Sequence, residues 1–309
     1  MKISVVMATY NGERFLREQL DSIRNQTRQA DELIICDDGS TDGTVELVRK
    51  YIIDNRLENN WKIIVNDQNL GYANNFNKVT LMASGNYIFF ADQDDIWMPE
   101  KIEKMTKIME QHTDCKVLCT DYEPMYDGTE PPKATRKVLK RMPNNQLLEK
   151  VVLTPKSIYI GALGCCMCVR REFYHQIKKY WFDGWAQDDR MWRLAQCAQG
   201  CYILHSNLIK HRIHGNNTST YGKYHTVEKR VKLFTAMLNA NMEMNKMLED
   251  NGAKEEEKAI IVKHIEMMRY RITLLKNKQP ALIIPLLRYL KYYQNIKSGM
   301  VDILVAIRK

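Results

Sequence analysis

The stretch Tyr87-Ile88-Phe89-Phe90-Ala91-Asp92-Gln93-Asp94-Asp95-Ile96-Trp97 decides how the chain folds. Five apolar residues in a row form a buried strand, and it stops in a cluster of carboxylates. The same pattern occurs twice upstream. Ile3–Ala8 runs into Thr9-Tyr10-Asn11-Gly12, and Leu33–Cys36 runs into Asp37-Asp38-Gly39-Ser40. Trp61–Val65 is a further strand, and later in the chain Ile158–Val169 and Cys201–Leu204 read as strands, whereas the polar residues 122–150, with Pro131-Pro132 and the basic Lys133–Arg141, read as a mobile loop. Between the strands, Arg14–Asn25, Val45–Ile53 and Ala73–Ala83 carry apolar residues at helical spacing, the last with Gly85 as a C-terminal stop. Strands alternating with helices build right-handed crossovers, hence a mostly parallel sheet flanked by helices. Ligands of such sheets bind beyond the carboxyl ends of the strands, where these polar clusters fall.

The chain has 309 residues, 45% of them hydrophobic and 27% charged, a balance that excludes a disordered chain and an integral membrane bundle. Its net charge of +9 is unevenly placed. Residues 1–222 hold 29 Lys+Arg against 28 Asp+Glu, and residues 223–309 hold 17 against 9. We read 1–222 as the α/β domain and 223–309 as a basic, helical C-terminal extension. Ile261, Ile265, Met268, Ile272 and Leu275 form one stripe of an amphipathic helix there. No apolar run approaches the ~20 residues of a spanning helix. The N-terminal apolar run is too short for a signal peptide, so a cytoplasmic, reducing setting is expected for the eight cysteines. Cys165-Cys166-Met167-Cys168 lacks a second ligand pair and reads as small buried residues, as do Cys115, Cys119, Cys197 and Cys201.

Asp92 and Asp94, two apart at a strand end, point the same way if the backbone stays extended. Hard oxygen ligands of this kind suit Mg²⁺ or Mn²⁺ bridging substrate phosphates, although a solvated acidic turn has the same composition. Asp188-Asp189 opens a helical stretch that Gly200 closes. Adjacent carboxylates raise one another's pKa, which suits a general base, and acids at a helix N-terminus are also favoured by the helix dipole.

Taken together and in order, Val5–Gly12, Ile34–Thr44, Asn69-Leu70-Gly71-Tyr72 and Ala91–Trp97 resemble the family 2 inverting glycosyltransferases, which have the GT-A fold. The Asp-Gln-Asp-Asp-x-Trp form looks most like the rhamnosyltransferase-type members that act on bacterial surface polysaccharides. The resemblance implies sugar transfer, with rhamnose the sugar that the Asp-Gln-Asp-Asp-x-Trp form suggests, from a nucleotide-diphosphate donor to the hydroxyl of a glycan or lipid-linked glycan. It assigns Thr9, Tyr10 and Asn11 to the nucleotide pocket, and Asp38, or Asp37 beside it, to the pyrimidine base. Asn69 and Gly71 belong to the same pocket or simply form a turn. Asp92 falls on the sugar or ribose side and Asp94 on the metal. Asp189 is implied as the general base, with Asp188 as the alternative, since Asp188 stands where the family has Glu. His211-Arg212-Ile213-His214-Gly215-Asn216-Asn217 resembles the late Arg-x-His segment, and His214 is implied at the metal or the leaving diphosphate; His205 and His211 read as surface histidines.

Two other classes fit parts of the sequence. A sugar-1-phosphate nucleotidyltransferase also carries acidic metal ligands, but needs a Gly-rich basic loop where Thr9-Tyr10-Asn11-Gly12 stands. A nucleic-acid-binding module would need basic and aromatic residues interleaved on a recognisable motif, and none is found. Residues 259–309, with ten Lys+Arg against Glu266 and Asp302, are expected either to touch an anionic membrane surface or to pack on the α/β domain or on the second subunit of a homodimer.

Overall fold

The computed structural model describes residues 1–128, 142–159, 161–214, 226–278 and 280–307. The Pro131-Pro132 and Lys133–Arg141 stretch, Gly215-Asn216-Asn217, the 222/223 boundary and Arg308-Lys309 lie outside them. The chain divides into two compact units. The first comprises Met1–Val151, Ala162–Met191 and Gly200–Asn217; the second comprises Val152–Gly161, Trp192–Gln199 and Thr218–Lys309.

The first unit is built on a mixed sheet. β1 (Ile3–Thr9), β2 (Glu32–Asp37), β3 (Trp61–Val65) and β4 (Tyr87–Ala91) pair in parallel, in the order β3-β2-β1-β4. Helices α1 (Glu13–Arg24), α2 (Thr44–Asp54) and α3 (Tyr72–Leu81) make the crossovers, and α4 (Lys101–Gln111) follows β5 (Ile96–Trp97). α1 shows why the pattern folds: Leu16, Leu20 and Ile23 share one face and are buried with Ile3, Val5 and Met7 in one core. Beyond β4 the order continues through β8 (Met167–Arg170), β6 (Val117–Tyr126), β9 (Cys201–Ile213) and β5, with β7 (Leu148–Lys150) also on β9. β8 pairs antiparallel with both β4 and β6, while β6 and β9 are parallel.

Several elements differ from the sequence reading. Ile158–Val169 is not one strand; a short 3-10 turn, Gly164–Cys166, precedes β8. β9 does not stop at Leu204 but continues to Ile213, so His205 and His211 lie on a sheet strand. The polar region after Tyr122 contains the end of β6 and all of β7. All eight cysteines are buried and unpaired, as their small apolar surroundings predict.

In the second unit, helices Val227–Asp250 and Glu255–Asn277 form a hairpin. Their core collects Phe234, Met267, Met268, Leu274 and Leu275 with Leu286, Tyr289, Tyr292 and Tyr293. Of the predicted stripe, Ile261, Met268 and Leu275 are buried and Ile265 and Ile272 partly so. The segment Val152–Gly161 is held within this unit by His264 Nε2 against Pro155 O (2.8 Å) and by the Tyr159 hydroxyl donating to Tyr292 O (2.7 Å). Among the described residues, no helix is long and apolar enough to cross a membrane.

Candidate active site

The parallel register sets Thr9 beside Asp37 and Met7 beside Ala91, so the ends of β1, β2 and β4 line one edge of the sheet. Here the first unit gathers its polar loops. Asp37 is fully buried and acts inward: its carboxylate accepts from Thr9 Oγ1 (2.8 Å), Ser40 Oγ (2.6 Å) and the backbone N–H groups of Gly39 (3.1 Å) and Ser40 (2.8 Å). Asp38 reaches the next loop. Its Oδ1 accepts from Asn66 Nδ2 and Leu70 N, both at 2.8 Å, and its Oδ2 from Gly71 N at 2.9 Å. Gly71 has φ +78, a left-handed conformation that a side chain disfavours, so the residue type is set by this turn. Asn69 donates to Asp38 O (3.1 Å) and accepts from Gly71 N (3.0 Å). Asn11 is exposed, and its side-chain oxygen accepts from Thr41 N at 2.8 Å. The Tyr10 backbone is clamped by Gln93, which accepts from Tyr10 N (2.9 Å) and donates to Tyr10 O (3.1 Å), and the residue is 49% exposed.

The acidic stretch after β4 is a turn rather than an extended segment, with Gln93 and Asp94 at its tip. Asp92 therefore precedes the turn and Asp94 lies within it, and the same-side argument for extended backbone does not apply. Burial pushes the Asp92 carboxyl up to about 7, with Asp95 and Asp94 adding to it. Asp188 adds to the same shift more weakly, and both regions meet the Gly164–Cys166 turn, Gly164 against Asp188 and Cys165 against Asp95. Asp94 is also raised, by burial and by Asp95, although His214 works against this. Asp94 Oδ2 and His214 Nε2 lie 2.8 Å apart, and the His214 ring packs against Phe15.

Beneath this pair lies a network that the sequence reading missed. Asp95 is fully buried; its Oδ1 meets His211 Nδ1 at 2.9 Å and accepts from Arg212 N at 3.0 Å. His211 is thus no surface histidine. Burial opposes its charge, but the Asp95 carboxylate overrides this and lifts its pKa to about 9. The antiparallel β5–β9 register, Ile96 opposite Lys210, brings these two residues together. Asp95, Cys165 and His211 each offer one ligand atom within 4.8 Å of the others, and the Cys165 thiol interacts with the Asp95 carboxylate. Lys101, also fully buried, donates to Cys165 O (2.6 Å) and sits 3.6 Å from the centre of the Trp97 ring. Burial lowers its pKa to about 8. Arg212 Nε donates to Asp94 O at 2.8 Å, and its Nη2 reaches Glu18. The only sequence signal for these residues is their place inside two motifs already singled out, Asp95 in one and His211-Arg212 in the other.

The two candidate bases open the helix Gln187–Cys197. Asp188 stands against the Gly164 turn, where a Cβ on Gly164 would lie 3.3 Å from Asp188 Cβ. Burial and Asp189 raise the Asp188 carboxyl to about 6. Asp189 Oδ2 accepts from the Trp185 indole N–H at 2.8 Å, and Asp188 Oδ1 accepts from Asp189 N at 2.8 Å. Oxygen and imidazole donors on the Asp92–Asp95 turn and His214 form a set suited to Mn²⁺ or Mg²⁺.

Comparison with known proteins gives this edge a context. The family model for glycosyl transferase family 2 matches residues 4–177. The Escherichia coli enzyme WfgD, a UDP-Glc:α-D-GlcNAc-diphosphoundecaprenol β-1,3-glucosyltransferase, is 35% identical over 107 residues, which are 35% of this chain and 40% of that enzyme. Across several curated relatives the aligned stretch covers from 35% to 76% of the relative's own length. Among solved structures, S. aureus TarS 1-349 in complex with UDP-GlcNAc superposes with a TM-score of 0.65 at 20% identity, over 99% of this chain and 90% of that one. The mannosyltransferase PcManGT from Pyrobaculum calidifontis, in complex with GDP-Man and Mn²⁺, gives a TM-score of 0.54 at 15% identity, over 99% and 84%. A match across more than half of the chain, on the sheet edge where its polar loops converge, places the protein in glycosyl transferase family 2.

Proposed function

We propose that the chain transfers a sugar from a nucleoside-diphosphate donor to an acceptor hydroxyl with inversion at the anomeric carbon, in the assembly of a bacterial polysaccharide. The observation that carries this reading is the convergence of the Asp92–Asp95 turn with Asp188 at the sheet edge of a family 2 chain. The family match favours this over the nucleotidyltransferase reading. Tyr10, exposed on a clamped backbone, supplies a ring for the base. Asp38 and the Asn69–Gly71 turn that it holds form the floor beside it. Asp92 carries its raised pKa on the sugar side.

Asp189 takes the proton of the acceptor hydroxyl as the new C–O bond forms, its carboxylate oriented by the Trp185 indole. The displacement is single, so no protein nucleophile is required. Asp94 and His214 would hold a divalent ion, Mg²⁺ or Mn²⁺, which supplies Lewis-acid stabilisation of charge on the departing diphosphate. Arg212, bonded to the Asp94 carbonyl, keeps that turn in register with β9. The complexes of TarS and PcManGT support a nucleotide-sugar donor, and the substrate of WfgD supports a lipid-linked acceptor.

Paired variants test the base. Asp189→Asn is expected to lower kcat by about 10²–10⁴ while donor affinity, measured by calorimetry, stays within about twofold. Wild-type turnover in Asp189→Asn beside a dead Asp188→Asn would move the role to Asp188.

A further inference from the structure

The second unit buries one side of its C-terminal segment and leaves another bare. Along Ile283–Leu287 and the 3-10 turn Leu290–Tyr292, Leu286, Tyr289 and Tyr292 enter the core, whereas Ile284, Leu287 and Leu290 stand exposed, Ile284 at 73%. These three lie at three-residue intervals, on one face of the helical path. The helix Ile296–Ile307 repeats the arrangement: Asp302 is buried, while Met300, Val301 and Leu304 are exposed, Leu304 at 61%.

Charge on this segment has one sign. From Lys276 to Ile307 the basic residues are Lys276, Lys278, Arg288, Lys291 and Lys297, all exposed. The single acid, Asp302, is buried and accepts from Arg230 Nε (3.1 Å) and Arg271 Nε (2.6 Å). Within Lys276–Ile307 no other acidic side chain offsets the exposed cations; from the packed helix, Glu266 accepts from the Tyr289 hydroxyl (2.9 Å) and pairs with Lys263.

We propose that Ile284, Leu287 and Leu290, with Met300, Val301 and Leu304, dock this unit on an anionic lipid bilayer. Exposed branched side chains enter the boundary between headgroups and acyl chains, while the long basic side chains remain among the headgroup phosphates. A second copy fits this face less well, because a two-fold contact would oppose the same cations on both subunits. A nucleic acid would meet the cations but leave the apolar stripe without a partner. The Ile261–Leu275 stripe takes no part, since Ile261, Met268 and Leu275 are interior.

The test is flotation of the full chain with vesicles of phosphatidylcholine alone or with one third phosphatidylglycerol. Binding is expected to the anionic vesicles and to weaken at high salt. Each basic residue near the surface contributes about fivefold, so Arg288→Gln with Lys291→Gln and Lys297→Gln should lower partitioning roughly hundredfold. Ile284→Ser with Leu287→Ser and Leu290→Ser should abolish flotation with an unchanged melting temperature. If that variant melts early, Met300→Ser with Leu304→Ser serves in its place and is expected to weaken flotation likewise. Equal recovery on neutral and anionic vesicles, or undiminished flotation of the serine variants, overturns the proposal. So does a dimer by light scattering that the serine variants dissociate while no vesicle binding is seen.

Discussion

Asp188 and Asp189 are neighbours in sequence with different surroundings. The Trp185 indole donates to Asp189, whereas Asp188 accepts the backbone N–H of Asp189 and is raised to about 6 by burial and by the charge beside it. In the unfolded chain an Asp titrates near 4. Between about pH 4 and pH 6 the folded chain therefore keeps a proton that the unfolded chain has released. Stability from this group falls as pH rises through that window, and the penalty is complete above it. Asp188→Asn lacks the penalty, so its melting temperature should exceed that of the wild type by a few degrees at pH 8 and by nothing near pH 4. Thermal melts at the two pH values check this, and an equal gain at both would assign the effect to packing. Where a motif named candidate residues, some of them come together, as Asp94 and His214 do at 2.8 Å. Asp95 and His211 were present in the same motifs, but pairing partners 116 positions apart is decided by β5–β9 register, which neither local sequence displays.

At the scale of elements, continuous apolar strands such as Tyr87–Ala91 were readable, because every residue of that strand is buried. β9 was not, beyond Leu204. Its later half alternates, with Ser206, Leu208 and Ile209 inside and His205, Asn207 and Lys210 only partly buried. A half-buried strand has period two, and polar residues at every other position conceal it from a search for apolar runs. The C-terminal helices show the converse. Arg271 and Asp302 count as surface charges in the sequence, yet both are buried: Asp302 bridges Arg230 and Arg271, and the Arg271 guanidinium lies 3.8 Å from the centre of the Phe234 ring. Removing one member of such a set leaves an uncompensated charge inside. Asp302→Ala is expected to cost about 3–5 kcal/mol of stability, read as a fall in the urea midpoint, whereas Lys297→Ala on the exposed side of the same helix should change it by under about 0.5 kcal/mol. Equal small effects would show that the triad is solvated.

For the whole molecule, the alternation of strands and helices and the polar ends of β1, β2 and β4 carried both the sheet and the edge on which the candidate site lies. The antiparallel β8, which joins the parallel strands to β6 and β9, was read only as the end of a longer apolar strand, Ile158–Val169; its direction left no mark, because Met167–Arg170 is too short for a periodic signal. The uneven charge was likewise visible in composition, but which basic residues face solvent depended on how the second unit packs. The central claim is that this sheet edge binds a nucleoside-diphosphate sugar together with a divalent ion. The most direct measurement is the melting temperature of the full chain with UDP-, GDP- and dTDP-sugars, each with Mn²⁺ and with a chelator. At about 100 times Kd a ligand stabilises by roughly 2.7 kcal/mol, a rise of about 5 °C for a protein of this size. At least one nucleotide sugar should produce that rise with Mn²⁺, lose it in chelator, and lose it in Asp94→Ala. No shift with any of them, or the same shift without metal and in Asp94→Ala, would contradict the account.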